Sequence, residues 1–299
     1  MIAWIILAIV LVILGYKYLR DNNVLANVSI NNKAFSPFRL IADKYKTIDE
    51  VEEALRTAGL ESSNLIIGID YTASNEYQGR KTFNGMCLHK IQIDGFNPYQ
   101  NVIKMVAQTL EKFDEDRLIP VFGFGDYMTK DHSVFPFLPD PHSERYCHGV
   151  EEVLQVYNKI TPGVTLSGPT NFAPLIKRSI DTLFTTDDRS TYHILVSNER
   201  ETRDAIVEAS KFPLSIILVG VGDGPWETMN DYDDGLPTRK FDNFQFVDYN
   251  KVLQESRRLH KNPEVEFTVA ALMEIPEQYN AIKKLGLLGR SRHELSNNL

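Results

Sequence analysis

The chain has 299 residues, 43% of them hydrophobic and 24% charged, which suits one or at most two globular domains with a sizeable core. A formal charge of -8 and a pI near 5.4 argue against nucleic-acid binding, which needs a concentrated basic patch. The only two cysteines, Cys87 and Cys147, are too far apart for a C-x-x-C site, which argues against a zinc domain or a disulfide framework and fits free thiols in a reducing compartment.

In chain order, Met1 to Gly15 carries no charged side chain and is nearly all Ile, Leu, Val, Ala and Trp, with Tyr16 and Tyr18 bracketing Lys17. This pattern predicts an N-terminal transmembrane helix over residues 1–20, since about 20 apolar residues cross a bilayer. No basic residue precedes the run and no small-residue cleavage site follows it, so an uncleaved anchor is favoured over a signal peptide. Lys17 and Arg20 on the carboxyl-terminal flank then orient the rest of a single-pass membrane protein toward the cytoplasm. Residues 21–39, polar and Asn-rich, read as a juxtamembrane linker.

Order begins near residue 40. Thr47 and Glu50 make a capping-box pattern, with Ile48, Val51 and Leu55 at helical spacing and Gly59 as a stop. A buried strand is predicted over Asn64 to Ile69, and a helix over Tyr99 to Phe113 that places Val102, Val106, Leu110 and Phe113 on one face. Leu118 to Phe124 reads as a strand, Val150 to Ile160 and Phe172 to Phe184 as helices, and Tyr192 to Val196 as a strand. Arg200 to Lys211 follows as a helix, then Leu214 to Val221 as the clearest buried strand and Asn243 to Val247 as the last. Strands buried on both faces and separated by helices imply an α/β fold, a doubly wound, mainly parallel sheet with helices on both faces. Residues 286–299 read as a flexible tail. In such a sheet, ligands bind at the carboxyl ends of the strands.

At the end of the first strand stands Asp70-Tyr71-Thr72-Ala73-Ser74, an acid and two hydroxyls on alternate residues. A carboxylate with hydroxyl oxygens is hard-ligand chemistry suited to Mg2+. On spacing alone the plainer reading is stronger, a strand-to-helix turn in which Thr72 or Ser74 is a helix cap. Thr170 supplies another hydroxyl in a loop leading into a helix. Asp126 puts an acid beyond a second strand. His89, His132, His142, His148 and His193 have no metal-ligand spacing and read as structural or surface residues. Gly220 to Gly224 lacks the spacing of a phosphate loop, and no nucleophile elbow occurs, so no catalytic constellation is found.

These stretches, with Asn97 to Ile103 (NPYQNVI), Phe113 to Asp126 (FDEDRLIPVFGFGD), Ala209 to Met229 (ASKFPLSIILVGVGDGPWETM), Phe241 to Val247 and Ala270 to Tyr279, resemble in order the von Willebrand factor A-type (vWA) domain of copines. The likeness spans roughly residues 40–285 and extends to the copine-like domain of plant RING-type ubiquitin ligases. It implies a protein-binding module, not an enzyme, with a metal-ion-dependent adhesion site whose cation, Mg2+ or Mn2+, is shared with an acidic partner. Carried over by position, the ligands are Asp70, Thr72, Ser74 and Thr170, with Asn75, Asp126 and Asn171 as partner contacts. The third-loop aspartate does not carry over: the chain reads Ser197-Asn198-Glu199-Arg200, leaving Asn198 or Glu199 to stand in for it. No array of zinc ligands resembling a RING follows Ala270. Two functions follow from the resemblance: a membrane-anchored module recruiting an acidic partner, or the substrate-recognition subunit of a ubiquitin-ligase system that borrows its RING from another chain.

Overall fold

The structure, a computed structural model, describes residues 44–114, 116–139, 145–185, 191–197, 203–226, 229 and 239–296. Strand β1 (Ser63–Asp70) owes its central place to Leu65, Ile66, Ile67 and Ile69, all buried. A short β2 (Leu118–Ile119) precedes β3 (Val121–Phe124), β4 (Val134–Pro136) and β5 (Cys147–His148). The last three strands are β6 (Tyr192–Ser197), β7 (Leu214–Gly220), buried along its whole length, and β8 (Phe244–Asp248). The main sheet runs β4-β3-β1-β6-β7-β8, and β2 pairs with β5 in a separate two-stranded ribbon. All main-sheet pairings are parallel except β3 with β4, so the sheet is mixed, with one antiparallel edge.

Helices α1 (Ile48–Thr57), α2 (Pro98–Leu110), α3 (Gly149–Ile160), α4 (Ala173–Thr182) and α5 (Arg203–Ala209) are followed by α6 (Tyr249–Arg258), α7 (Pro263–Leu272), α8 (Ile275–Leu285) and α9 (Arg292–Ser296). Their ends follow from local chemistry. The Thr47 hydroxyl accepts the Glu50 amide at 3.2 Å to open α1, and Gly59 at φ +80° follows its end, a conformation that costs glycine least. Asn97 and Gln100 form a reciprocal capping box on α2, with Pro98 in its first turn. Helix α9 falls within the stretch expected to be a tail and buries Leu295.

The expected N-terminal transmembrane helix and the single-pass placement facing the cytoplasm are corrected by the structure. Among the described residues no helix is long and apolar enough to cross a membrane. The longest of them, α2, has 13 residues, about 20 Å at 1.5 Å per residue against a hydrocarbon core of about 30 Å. Residues 1–20 and the linker 21–39, on which that expectation rested, lie outside the described residues.

The predicted strand Leu118 to Phe124 is two strands, because Pro120 has no N–H for a ladder and separates β2, paired with β5, from β3, paired with β1. In β3, Gly123 stands opposite Phe135 of β4, and a Cβ there would lie 2.2 Å from the Phe135 ring. That ring stacks on Tyr71 with centroids 5.8 Å apart. Gly123→Ala is expected to destabilise the fold by about 1–3 kcal/mol by displacing Phe135, read as a lowered midpoint in chemical denaturation. An unchanged midpoint would mean that the edge strand yields freely.

Candidate functional site

The β1 strand has β3 on one side and β6 on the other, and the chain leaves β1 toward β3 but leaves β6 toward β7. Neighbouring connections therefore diverge at the carboxyl ends of β1 and β6, where an open α/β sheet forms its crevice. Asp70 is the last residue of β1, and its carboxylate Oδ1 accepts the Thr72 amide at 2.7 Å. Both residues are buried.

A one-turn 3-10 helix, Ala73–Glu76, follows, and Thr72 occupies its cap position without a side-chain capping bond. The Thr72 hydroxyl turns elsewhere: its Oγ1 lies 3.0 Å from Ser74 Oγ and accepts from Thr170 Oγ1 at 3.1 Å. The Thr72 hydroxyl therefore does not cap this helix. Thr170 is brought in because the loop before α4 is laced to the end of β1. Thr72 and Ser167 form a parallel bridge, and the Ser167 amide donates to the Tyr71 carbonyl at 3.2 Å. On the β3 side Gly125, at φ +78°, abuts the site: a Cβ there would be 2.4 Å from Thr72 Cγ2 and 3.3 Å from Asp70 Oδ1. Only glycine lets this backbone approach so closely.

The donor set suits a hard divalent cation. Adjacent ligand oxygens of an octahedral ion at 2.0–2.1 Å are about 3 Å apart, and the two hydroxyl pairs already have that spacing. One carboxylate and three hydroxyls are oxygen ligands of the kind Mg2+ and Mn2+ take. Among the described residues no group of three His, Cys, Asp or Glu side chains forms a metal cluster. Asn198 and Glu199 lie outside the described residues.

The three expected partner contacts are engaged within the protein. Asn75 is buried, donating to the carbonyls of Asp70 and Thr72 at 3.0 Å each and accepting from Tyr99 Oη at 2.8 Å. The carboxylate of Asp126 accepts the Thr129 amide at 3.0 Å, the Thr129 hydroxyl, and the Met128 amide at 3.2 Å, which closes the turn after β3. Asn171 ties two loops together, donating to the Asp131 carbonyl and accepting from the Ala173 amide, both at 3.0 Å.

Behind Asp70 lies a buried network of side chains whose role the sequence does not signal. The Asp70 carbonyl, besides the Asn75 amide, receives His89 Nε2 at 2.7 Å and Tyr99 Oη at 3.1 Å. A carbonyl only accepts, so His89 Nε2 carries the proton and Nδ1 accepts from Tyr157 Oη at 2.8 Å. The Tyr157 oxygen in turn accepts from Asn97 Nδ2 at 3.1 Å. The imidazole is stacked between Tyr71 and Tyr99, with centroids 4.6 and 4.1 Å away. Burial pushes its pKa down to about 3, so it stays neutral, and burial raises the Tyr157 phenol so that it keeps its proton. Tyr157 is 68 positions from His89 and 60 from Asn97, and nothing in a single sequence brings them together.

A family model described as Copine matches residues 87–291 of the chain. Copine family protein 2 of Caenorhabditis elegans is 47% identical over 285 residues, which cover 93% of this chain and 4% of that protein. E3 ubiquitin-protein ligase RGLG5 of Arabidopsis thaliana is 48% identical over 269 residues, 84% of this chain and 60% of the ligase. For E3 ubiquitin-protein ligase RGLG4 of the same plant the figures are 46% over 279 residues, 87% and 68%. The chain thus spans less than two thirds of the length of the first two of these relatives.

Proposed function

The chain belongs to the copine family, and from that premise we propose that Asp70, Thr72, Ser74 and Thr170 take up a divalent cation, Mg2+ or Mn2+, and through it an acidic group of a protein partner. It is a copine, vWA-type protein-interaction domain related to the RGLG ubiquitin ligases. The observation that carries the reading is the set of three hydroxyl oxygens linked at 3.0 and 3.1 Å beside the Asp70 carboxylate, at the carboxyl edge of the sheet. One carboxylate against a dication leaves a net positive charge in the shell, and a carboxylate from a partner is the ligand that neutralises it. Asn75 and Asn171 hold the loops in which these ligands sit, and Asp126 holds the neighbouring turn after β3. In the third loop, the resemblance leaves Asn198 or Glu199 to stand in for the aspartate.

Calorimetric titration of the chain with Mg2+ and Mn2+, alone and with an acidic peptide, tests this reading. Cation-dependent peptide binding is expected, and Asn198→Asp is expected to tighten it by adding a negative charge beside the ion. No cation-dependent heat or binding at millimolar ion, in either protein, overturns it.

The similarity to RGLG5 favours a second reading, substrate recognition within a ubiquitin-ligase system. Affinity purification that recovers a RING protein together with polyubiquitinated material supports it, and recovery of partners without any RING protein argues against it.

A further inference from the structure

Exposed apolar side chains are concentrated on two of the loops beyond this edge of the sheet. Of the eight large ones among the described residues, Tyr77, Ile93, Phe96, Tyr127 and Met128 are on the loops that leave the carboxyl ends of β1 and β3. Tyr127 and Met128 are 62% and 82% exposed, although the turn that carries them is tied down along its length. The Tyr127 amide donates to the Thr165 carbonyl at 2.9 Å and the Lys130 amide to the Asp126 carbonyl at 2.8 Å. The Asp126 carboxylate closes the turn from inside, and Asn171 holds its far end at Asp131. Lys130 sits at φ +47°, a conformation that costs a residue with a Cβ, and one found where the surroundings impose it. A turn fixed in this way cannot fold its apolar side chains away from water, and it holds them ready for a partner with little ordering left to do.

The neighbouring loop is fixed in the same manner. Asp223, beyond β7, accepts the amides of Lys81 and Thr82 at 2.9 and 3.0 Å and the Thr82 hydroxyl at 2.6 Å. Its amide donates to the Gln78 carbonyl at 2.8 Å. Asp126 therefore directs its carboxylate into its own turn and Asp223 into the loop at Lys81 and Thr82, while Arg80 and Lys130 on this rim are exposed. The Arg80 guanidinium lies 5.8 Å from the Tyr77 ring centroid, and the Lys130 ammonium 5.7 Å from that of Tyr127. Glu76 and Asp94 are exposed acids on the loop after β1, and the Asp131 carboxylate lies 3.1 Å from His132 Nε2. Aromatic and apolar surface edged by Arg and Lys complements a partner that is both acidic and apolar.

We propose that Tyr127 and Met128 are specificity-determining residues, seating a large apolar side chain of a protein segment one to three positions from the acidic residue that the site binds. The spacing follows from the backbone. Tyr127 is two residues beyond Gly125, which abuts Thr72, so it lies within about 10 Å of the hydroxyl cluster, a span that an extended peptide covers in about three residues. The inference rests on the cation reading for the acidic half of the ligand and on the rim for the apolar half, and the two halves are separable.

The test is fluorescence polarisation of the full chain in Mg2+ with two labelled nonapeptides, each with a central Asp, one carrying Leu and the other Ser two positions away on both sides. The Leu peptide is expected to bind at least about tenfold more tightly, as burial of one such side chain implies. The double variant Tyr127→Ser, Met128→Ser is expected to reduce the preference below about twofold without weakening the Ser peptide, and Tyr127→Phe, Met128→Leu is expected to retain it. Equal affinities in the unaltered chain, or a preference that survives the double serine change, overturn the rim while Mg2+-dependent binding leaves the cation reading standing. A preference that the serine variant loses but EDTA does not touch supports the rim and overturns the cation reading. Binding of neither peptide overturns both.

Discussion

Asp70→Asn is expected to abolish cation-dependent binding of acidic peptides, lowering affinity in millimolar Mg2+ or Mn2+ by at least about a hundredfold, while the fold is kept. Asp70 is the only formal charge among the ligands Asp70, Thr72, Ser74 and Thr170, so without it the hydroxyls offer the dication only dipoles. Losses of about 10–100-fold follow even when an outer-shell partner of a metal ligand is removed, and a charged ligand matters more. The asparagine is chosen because the Asp70 carboxylate also accepts the Thr72 amide at 2.7 Å. An amide oxygen can keep that bond and so hold the Thr72 hydroxyl in place. Asp70→Ala removes charge and acceptor together and is expected to add a stability loss of about 1 kcal/mol. Calorimetry for binding and thermal denaturation for the fold separate the two effects. Cation-dependent binding that persists in Asp70→Asn would sink the site, whatever the alanine variant did.

The residues of this site were legible because their chemistry is local: Asp70, Thr72 and Ser74 alternate at the end of an apolar run, and Thr170 opens a helix. Their meaning was not, since a helix cap and a hard-cation ligand use the same residue types, and the fold adds only that the Thr72 hydroxyl makes no cap bond and meets Ser74 and Thr170 instead. The central strands β1 and β7 announced themselves as unbroken apolar runs. Strands β4 and β5, of three and two residues, are too short to carry a period, and exist through pairing with β3 and β2. Helices α6 to α8 went unpredicted for opposite reasons. Helix α6 buries only Tyr249 and Ser256, so it has little apolar stripe. Helix α7 is apolar nearly all round, with Phe267, Val269, Ala271 and Leu272 buried, so no polar face marks its period. The rim residues Tyr127 and Met128 stand out only once the hydrogen bonds that fix their turn are known.

His89→Ala is expected to cost about 3–5 kcal/mol, the largest stability effect of any single change considered. The imidazole is buried and sandwiched between two tyrosine rings, so its removal leaves a cavity the size of an aromatic ring. It also takes the acceptor from the Tyr157 hydroxyl and one donor from the Asp70 carbonyl. The same residue makes stability depend on pH, with a sign fixed by its depressed pKa. Its unfolded value is 6.5 and its folded value about 3, so between them the unfolded chain binds a proton that the native protein refuses. The contribution is full above pH 6.5 and is lost as pH falls toward 3, on the order of 2–3 kcal/mol by pH 4.5 at about 1.4 kcal/mol per pH unit. Asp114 acts in the opposite direction, because burial, and then the Asp116 carboxylate, raise its pKa in the fold, so that acid favours the native form there. The curve of the unaltered protein is therefore flatter than either group alone would make it. The difference between the protein and His89→Gln removes the Asp114 part, provided the two sites act independently, and it is expected to shrink as pH falls from 7 to 4.5. Denaturation curves that stay parallel over that interval would show His89 protonating as freely in the fold as in the unfolded chain, and its burial between Tyr71 and Tyr99 would then not be what excludes the charge.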